Sequence, residues 1–100
     1  MQVTENLNQE ITVVVFKAPW CQPCKAYAKT IEEAKEIYKD TPEVKFITYD
    51  IEDKEAFVET LKYKIKGVPT TIILKDATEI SRKVGALPLG SLSSEISNAL

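Results

Sequence analysis

The stretch ITVVVF, residues 11–16, constrains the fold more than any other part of this sequence. It is an unbroken run of apolar and β-branched residues, a pattern typical of a strand buried on both faces. A strand of this kind lies in a sheet that carries helices on both sides. We therefore expect an α/β protein in which helical segments alternate with strands.

A helical pattern follows that strand. Apolar residues at Tyr27, Ile31, Ala34 and Tyr38 are spaced four, three and four residues apart, which predicts a helix from Lys25 onwards. Further along, residues 44–51, 71–74 and 79–84 are predicted as strands. A short helix is expected between the first two of these, with Asp53 as its N-cap and Ala56, Phe57 and Leu61 on one side. A final helix has Pro88 in its first turn and buries Leu89, Leu92, Ile96 and either Ala99 or Leu100.

This order of elements, β-α-β-α-β-β-α, predicts the sheet topology. Two strands joined through a helix should be parallel, and the last two should pair as a hairpin. The expected architecture has three layers, a mixed sheet of four or five strands with helices on both faces. At 100 residues the chain is long enough for one domain, residues 1–100. The first ten residues are compatible with a short strand or a helical turn, and the sequence does not decide between these two structures.

Composition excludes several classes of function. The formal net charge is −2, and the lysines are interleaved with acidic residues, so no basic stripe for nucleic acid is expected. No apolar run approaches the length of a membrane span. The first ten residues lack the basic and apolar regions of a signal peptide, which favours a cytoplasmic location. Two cysteines in a reducing compartment favour redox or metal chemistry over a structural disulfide.

Both cysteines lie in APWCQPCK, residues 18–25, where the strand gives way to the helix. Residues three apart face one another in a helical turn, so the sulfurs of Cys21 and Cys24 can approach bonding distance. A zinc site within one chain is nearly excluded, because two cysteines supply only two ligands and the chain has no histidine. Two alternatives remain: inert core residues, or a reversible dithiol and disulfide. The flanking Trp20 and Pro23 favour the second.

The segment APWCQPCK resembles the active-site stretch of the thioredoxin family, in which a buried strand leads into W-C-x-P-C-K and a helix. Two later segments extend the similarity. Residues 63–76, YKIKGVPTTIILKD, resemble the family's strand entry around its cis-proline, and residues 83–92, KVGALPLGSL, resemble its last strand and glycine turn. The resemblance covers about residues 11–100 with three motifs in the right order. Glutaredoxins fit less well, because they lack this tryptophan.

The resemblance implies a thioredoxin-like fold with a shortened N-terminus and a reaction on protein disulfides. Cys21 would attack the substrate disulfide, and Cys24 would resolve the mixed disulfide. No bound cofactor or metal is implied. A separate reductase, typically an NADPH-dependent flavoprotein, would restore the dithiol, and the protein would act as a monomer. Two alternatives stay open: a disulfide oxidase or isomerase, and a non-catalytic docking module with the same fold.

The resemblance also explains how Cys21 becomes a nucleophile without histidine. At the start of a helix, backbone N–H groups lack intrahelical partners and the helix dipole is positive, so a thiolate is stabilised there. In thioredoxin the pKa of this thiol is about 7, against about 8.5 for free cysteine. Such a shift corresponds to about 2 kcal/mol.

The supporting residues are assigned by the same resemblance. Trp20 would shield the disulfide with its indole N–H bound to Glu52, and Gln22 and Pro23 would tune and stiffen the turn between the cysteines. Pro69, in a cis peptide bond, would also support the active site. The substrate groove would be formed by Trp20, by the backbone of Val68, and by Gly85 and Ala86 through their small size.

Four positions depart from the family pattern. Gln22 stands where the family usually has glycine between the cysteines. Val15 stands where the family often has a buried aspartate, and Thr48 stands at the position of its lysine partner. In relatives this ionisable pair is thought to help deprotonate the second cysteine, so we expect a resolving step here that depends more steeply on pH. Lys17 replaces a common aromatic residue and is expected to be a solvated lysine rather than one that stabilises the thiolate.

Overall fold

The structure is a computed structural model that describes residues 9–100. The elements follow the predicted order, with one 3-10 turn before the second helix. They are β1 (Ile11–Lys17), α1 (Gln22–Ile37), β2 (Val44–Asp50), the 3-10 turn (Lys54–Ala56), α2 (Phe57–Lys62), β3 (Thr70–Lys75), β4 (Thr78–Val84) and α3 (Leu89–Ala99). The open question about the first ten residues falls almost entirely outside the described part of the chain.

The described strands form one mixed sheet in the order β2-β1-β3-β4. β1 and β2 are parallel, β1 and β3 are antiparallel, and β3 and β4 form an antiparallel hairpin. The predicted parallel pair and the predicted hairpin are therefore confirmed. The carboxyl end of β1 and the amino end of β3 lie at the same edge of the sheet, because Phe16 pairs with Thr70. Both cysteines and Pro69 follow or precede these strand ends, so the topology brings them to one edge.

Alternate residues of β1 fill two cores. Val13 and Val15 belong to the core beneath α1 and α3, while Val14 and Phe16 belong to the core on the other face. The second core is covered by residues around the end of α2, among them Tyr63. Helices therefore lie on both faces of the sheet, as expected. Every one of these β1 side chains is at most 4% exposed, which accounts for the unbroken apolar run.

The short second helix differs from the prediction. Ala56 is buried, but Phe57 is 62% exposed and Leu61 is 60% exposed, so the expected buried side of this helix is wrong. α2 has only six residues, and Tyr63, just beyond its end, packs on the sheet core instead. Asp53 does occupy the N-cap position of the 3-10 turn, but its side chain makes no capping hydrogen bond.

Two other boundaries are resolved. α1 begins at Gln22, three residues before the predicted start at Lys25, because proline is tolerated in a first turn and Cys21 caps the helix. In α3, Ala99 is the buried terminal residue, whereas Leu100 is 52% exposed. Pro88 lies at the N-cap position, one residue before the first turn in which it was expected.

Candidate active site

Cys21 is the N-cap residue of α1. Its backbone is extended, with φ −92° and ψ 107°, and its Sγ accepts a hydrogen bond from the backbone N–H of Cys24 at 3.1 Å. The first turn of α1 contains no acidic residue that would offset the positive end of the helix dipole. Pro23 is compatible with this first turn, because the backbone N–H that proline lacks would have no hydrogen-bond acceptor within the helix there.

Cys21 and Cys24 are joined by a disulfide bond, with their Cα atoms 5.2 Å apart. Each residue is 4% exposed, so burial alone does not distinguish the attacking sulfur from the resolving one. They differ in position: Cys21 is at the cap, and Cys24 lies within the helix. Ala18 completes their small apolar cluster, against which Val68 packs.

The loop before β3 faces the disulfide. The carbonyl oxygen of Val68 lies 3.6 Å from Sγ of Cys21, and the Val68–Pro69 peptide bond is cis. Pro69 is buried and its carbonyl oxygen accepts a hydrogen bond from the backbone N–H of Gly85 at 2.7 Å. The structure thus places Val68 beside Cys21 and ties Gly85 to the next residue of the same loop.

Gly85 has a backbone conformation that other residues rarely adopt, with φ 102°. A Cβ atom there would meet no other atom within 4 Å, so the backbone angle rather than crowding favours glycine. Its neighbour Ala86 is exposed. Neither Gly85 nor Ala86 has a side chain larger than a methyl group, so no bulky side chain from these two positions projects next to the Val68 loop.

Trp20 extends from the turn before α1 and is 64% exposed. Its indole N–H donates a hydrogen bond to Oε2 of Glu52 at 2.7 Å, which confirms the predicted acceptor. Gln22 and Pro23 occupy the first two positions of α1 and are both exposed. A large apolar side chain is therefore exposed at the residue that directly precedes Cys21.

A cavity of about 380 Å³ lies beneath Cys24, between α1 and the sheet. Val15 and Thr48 are register partners on β1 and β2, and both line it. Lys17 is half-buried and lines this cavity together with Cys24. The full lining is Val15, Lys17, Ala18, Pro19, Cys24, Lys25, Tyr27, Ala28, Ile31, Glu32, Thr48 and Pro69.

Sequence reasoning missed a buried polar contact at the wall of this cavity. The hydroxyl of Tyr27 and Oγ1 of Thr71 are 2.7 Å apart, and both residues are almost fully buried. Burial raises the pKa of Tyr27, and the hydrogen bond with Thr71 opposes that shift. Thr71 is the register partner of Val15 on β3, so a neutral hydroxyl pair lies beside the position of the family's aspartate. A threonine within an otherwise apolar strand was the available signal.

The fold brings several cations together around one surface depression. Four cations line it, Lys62, Lys64, Lys66 and Arg82, and Glu79 is the only carboxylate among the described residues that does so. We call these four cations the lysine patch. Sequence reasoning missed it because Arg82, on β4, is distant in sequence from the three lysines and reaches the backbone oxygen of Tyr63 at 2.7 Å.

Within residues 9–100, no three side chains of histidine, cysteine, aspartate or glutamate come together as possible metal ligands. In the same range, no helix is both long enough and apolar enough to cross a membrane.

Comparison with known proteins gives a consistent result. The family model described as Thioredoxin matches residues 2–98. Thioredoxin 1 of Synechococcus elongatus is 32% identical over 97 residues, covering 96% of this chain and 87% of that protein. Thioredoxin C-2 of Corynebacterium nephridii is 35% identical over 91 residues, covering 90% and 81%. The X-ray structure of Fasciola hepatica thioredoxin superposes with a TM-score of 0.76 at 32% identity, covering 97% of this chain and 88% of that one.

Proposed function

The chain belongs to the thioredoxin family, and from that premise we propose how its two cysteines divide the work of reducing protein disulfides. The protein is a thiol–disulfide oxidoreductase whose redox group is its own cysteine pair, and it reduces disulfides in protein substrates. Cys21 is the attacking sulfur and Cys24 the resolving sulfur. The single observation that carries this assignment is the N-cap position of Cys21, where Sγ accepts the backbone N–H of Cys24.

The reaction has two displacement steps. The Cys21 thiolate attacks one sulfur of the substrate disulfide, a new S–S bond forms, and the other substrate sulfur leaves as a thiolate that takes up a proton. Cys24 then loses its proton and attacks Sγ of Cys21, which forms the internal disulfide and releases the second substrate thiolate. Two electrons have moved from the dithiol to the substrate. The second attack is intramolecular and is accelerated by proximity.

The substrate groove is proposed from the residues around Cys21. The backbone of Val68 lies beside the attacking sulfur and is available to pair with an extended substrate segment. Because the side chains of Gly85 and Ala86 are small, the backbone of the substrate segment can approach them closely. The exposed ring of Trp20 is available to pack against the same segment. Pro69 holds the loop in position, and Gln22 and Pro23 shape the turn between the cysteines.

The protein works with a reductase that returns electrons to the oxidised pair. We propose that this reductase is an NADPH-dependent flavoprotein and that the protein acts as a monomer in the cytoplasm, as one domain over residues 1–100. The monomer is supported by the site itself, because Cys21, Val68 and Gly85 come together within one chain. A dithiol that must be kept reduced supports the cytoplasmic location.

Insulin reduction tests the function, first with dithiothreitol as the electron donor and then with NADPH and candidate reductases. We expect turnover in both assays and a reduction potential near the −270 mV or so of thioredoxin rather than the much higher value of an oxidant. Lack of turnover with dithiothreitol would contradict the proposed activity.

The division of labour is tested with two matched variants. With a disulfide peptide, Cys24→Ser should accumulate a mixed disulfide through Cys21, because the resolving sulfur is absent. Cys21→Ser should accumulate far less, because Cys24 lies within the helix rather than at its cap. Equal trapping by the two variants, measured by mass spectrometry, would contradict the assignment.

A further inference from the structure

The segment that leads to Val68 alternates between lysine and apolar residues. Tyr63 and Ile65 pack against the sheet core, and Lys64 and Lys66 between and after them are exposed. Because the apolar side chains take the inward positions, the ammonium groups are held at the surface on the approach to the substrate loop.

The charge of the lysine patch is largely uncompensated. Glu79 is occupied by Arg82, which donates from Nε and from a terminal nitrogen to its two oxygens at 2.8 and 2.9 Å. Within the described part of the chain, Lys62, Lys64 and Lys66 form no ion pair. Nζ of Lys62 lies 5.3 Å from the centroid of the Tyr63 ring. The ammonium groups of Lys64 and Lys66 therefore remain available to an acidic partner, on a chain whose formal net charge is −2.

The patch is adjacent to the proposed substrate groove. Lys66 precedes Val68 by two residues, so the Cα atoms of the two residues are at most about 7 Å apart. The carbonyl oxygen of Val68 is 3.6 Å from Sγ of Cys21. A substrate segment that pairs with Val68 therefore has the ammonium group of Lys66 within reach about two residues from its attacked cysteine. The backbone turns at Lys64, where φ is 52°, so Lys64 lies farther back, at most about 14 Å from Val68.

We propose that the lysine patch selects protein substrates that carry acidic side chains two to four residues from the attacked cysteine. This inference rests on the proposed function, because it uses the same groove and the same attacking sulfur. Complementary charge raises the association rate and disfavours partners of the wrong sign. The contribution should weaken at physiological ionic strength, where charges are screened over about 8 Å.

Three disulfide peptides test the proposal. They share one sequence, except that the positions two and four residues from one cysteine, on each side of it, are all glutamate, all glutamine or all lysine. The measured quantity is the ratio of the second-order reduction rate constants for the acidic and basic peptides. For the wild-type protein we expect a ratio of about 10 at low salt, falling as salt is added.

Charge reversal should invert this preference. In Lys64→Glu/Lys66→Glu the ratio should fall below one, and Lys64→Gln/Lys66→Gln should give an intermediate value. The matched control is Lys39→Glu/Lys75→Glu, which changes the net charge equally at the end of the molecule opposite Cys21. This control should retain the wild-type ratio, and thermal unfolding should confirm that each variant is folded.

A wild-type ratio near one, or an equal change in the patch and control variants, would overturn the proposal. Such results would leave the proposed function intact, since the glutamine peptide reports reduction without any charge contribution. Failure of the wild-type protein to reduce the glutamine peptide would instead contradict the proposed function.

Discussion

Val15 on β1 lies directly beside Thr48 on β2, and both side chains line the cavity beneath Cys24. Neither can ionise, so these two positions supply no carboxylate to Cys24, the proposed resolving cysteine. Val15 is 4% exposed and belongs to the core beneath α1 and α3. The position therefore contributes apolar packing, and proton removal from Cys24 depends on other groups or on solvent.

Replacing Val15 with aspartate should destabilise the oxidised protein by about 2–4 kcal/mol at pH 8, because it places a carboxylate among the apolar side chains of the core beneath α1 and α3. Desolvation raises the folded pKa of the new carboxyl above its unfolded value. The loss of unfolding free energy that comes from ionising this carboxyl is therefore small below about pH 4 and grows as the pH rises through the folded pKa. Urea unfolding at pH 5 and pH 8 measures this difference. Val15→Asn is the matched control, and an equal pH dependence in both variants would contradict the account.

The double variant Val15→Asp/Thr48→Lys should alter the resolving step. In the wild-type protein we expect the release of the second substrate thiolate to accelerate steeply with pH, because Cys24 must give its proton to solvent or to a departing thiolate. The introduced carboxylate should act as a local proton acceptor and flatten this profile. Single-turnover kinetics between about pH 6 and pH 9 provide the test, with Val15→Asn/Thr48→Gln as the neutral control. An unchanged profile in the charged variant would refute the proposed role of these positions.

The Tyr27–Thr71 hydrogen bond should stabilise the fold as a pair. Tyr27→Phe leaves the buried Thr71 hydroxyl without its partner, so the free energy of unfolding should fall by about 1–2 kcal/mol. Tyr27→Phe/Thr71→Val removes both polar groups and should recover part of that loss. Chemical denaturation of the single and double variants gives the coupling energy. Strictly additive losses would show that the two hydroxyls act independently.

The same tyrosine should contribute to alkaline unfolding. Burial raises the pKa of Tyr27 in the folded state, so its stabilising contribution is complete below its ordinary pKa near 10 and is lost as the pH rises through the folded value. Tyr27→Phe should therefore weaken the decline in stability above about pH 10. Parallel alkaline unfolding curves for the variant and the wild-type protein would contradict this linkage.

The β3–β4 turn offers a stabilising substitution. Asp76 and Ala77 both have positive φ, 51° and 72°, as a two-residue hairpin turn requires. Alanine is strained there, so Ala77→Gly should raise the free energy of unfolding by about 0.5–1 kcal/mol. Ala26→Gly in α1 is the control of opposite sign and should lower it by about 1 kcal/mol. A loss of stability in both variants would contradict the strain argument.

Much of the fold could be predicted because the strongest signals are local. The apolar run of β1 and the four, three, four spacing in α1 specify burial directly, and the structure buries Tyr27, Ile31 and Ala34 as expected. The second helix could not be predicted as well. Phe57 and Leu61 have the right spacing for a buried face, but the helix ends after six residues and Tyr63 packs on the core instead.

The site was predictable where residues are adjacent in sequence or where the resemblance supplied the pairing. Trp20 and Glu52 were matched correctly across 32 positions on that basis. The Tyr27–Thr71 contact and the lysine patch depend on register and on the meeting of distant segments. The hydrogen bond from Arg82 on β4 to the backbone of Tyr63 joins two different segments, so it cannot be predicted from residue spacing within either segment.

The titration of Cys21 in the reduced protein tests the central claim most directly. The alkylation rate of this thiol, followed against pH in Cys24→Ser, should show half-ionisation near pH 7, because the N-cap backbone stabilises the thiolate. The same thiol in urea-unfolded protein provides the reference at about 8.5. A folded-state value at or above that reference would contradict the claim that the start of α1 activates Cys21.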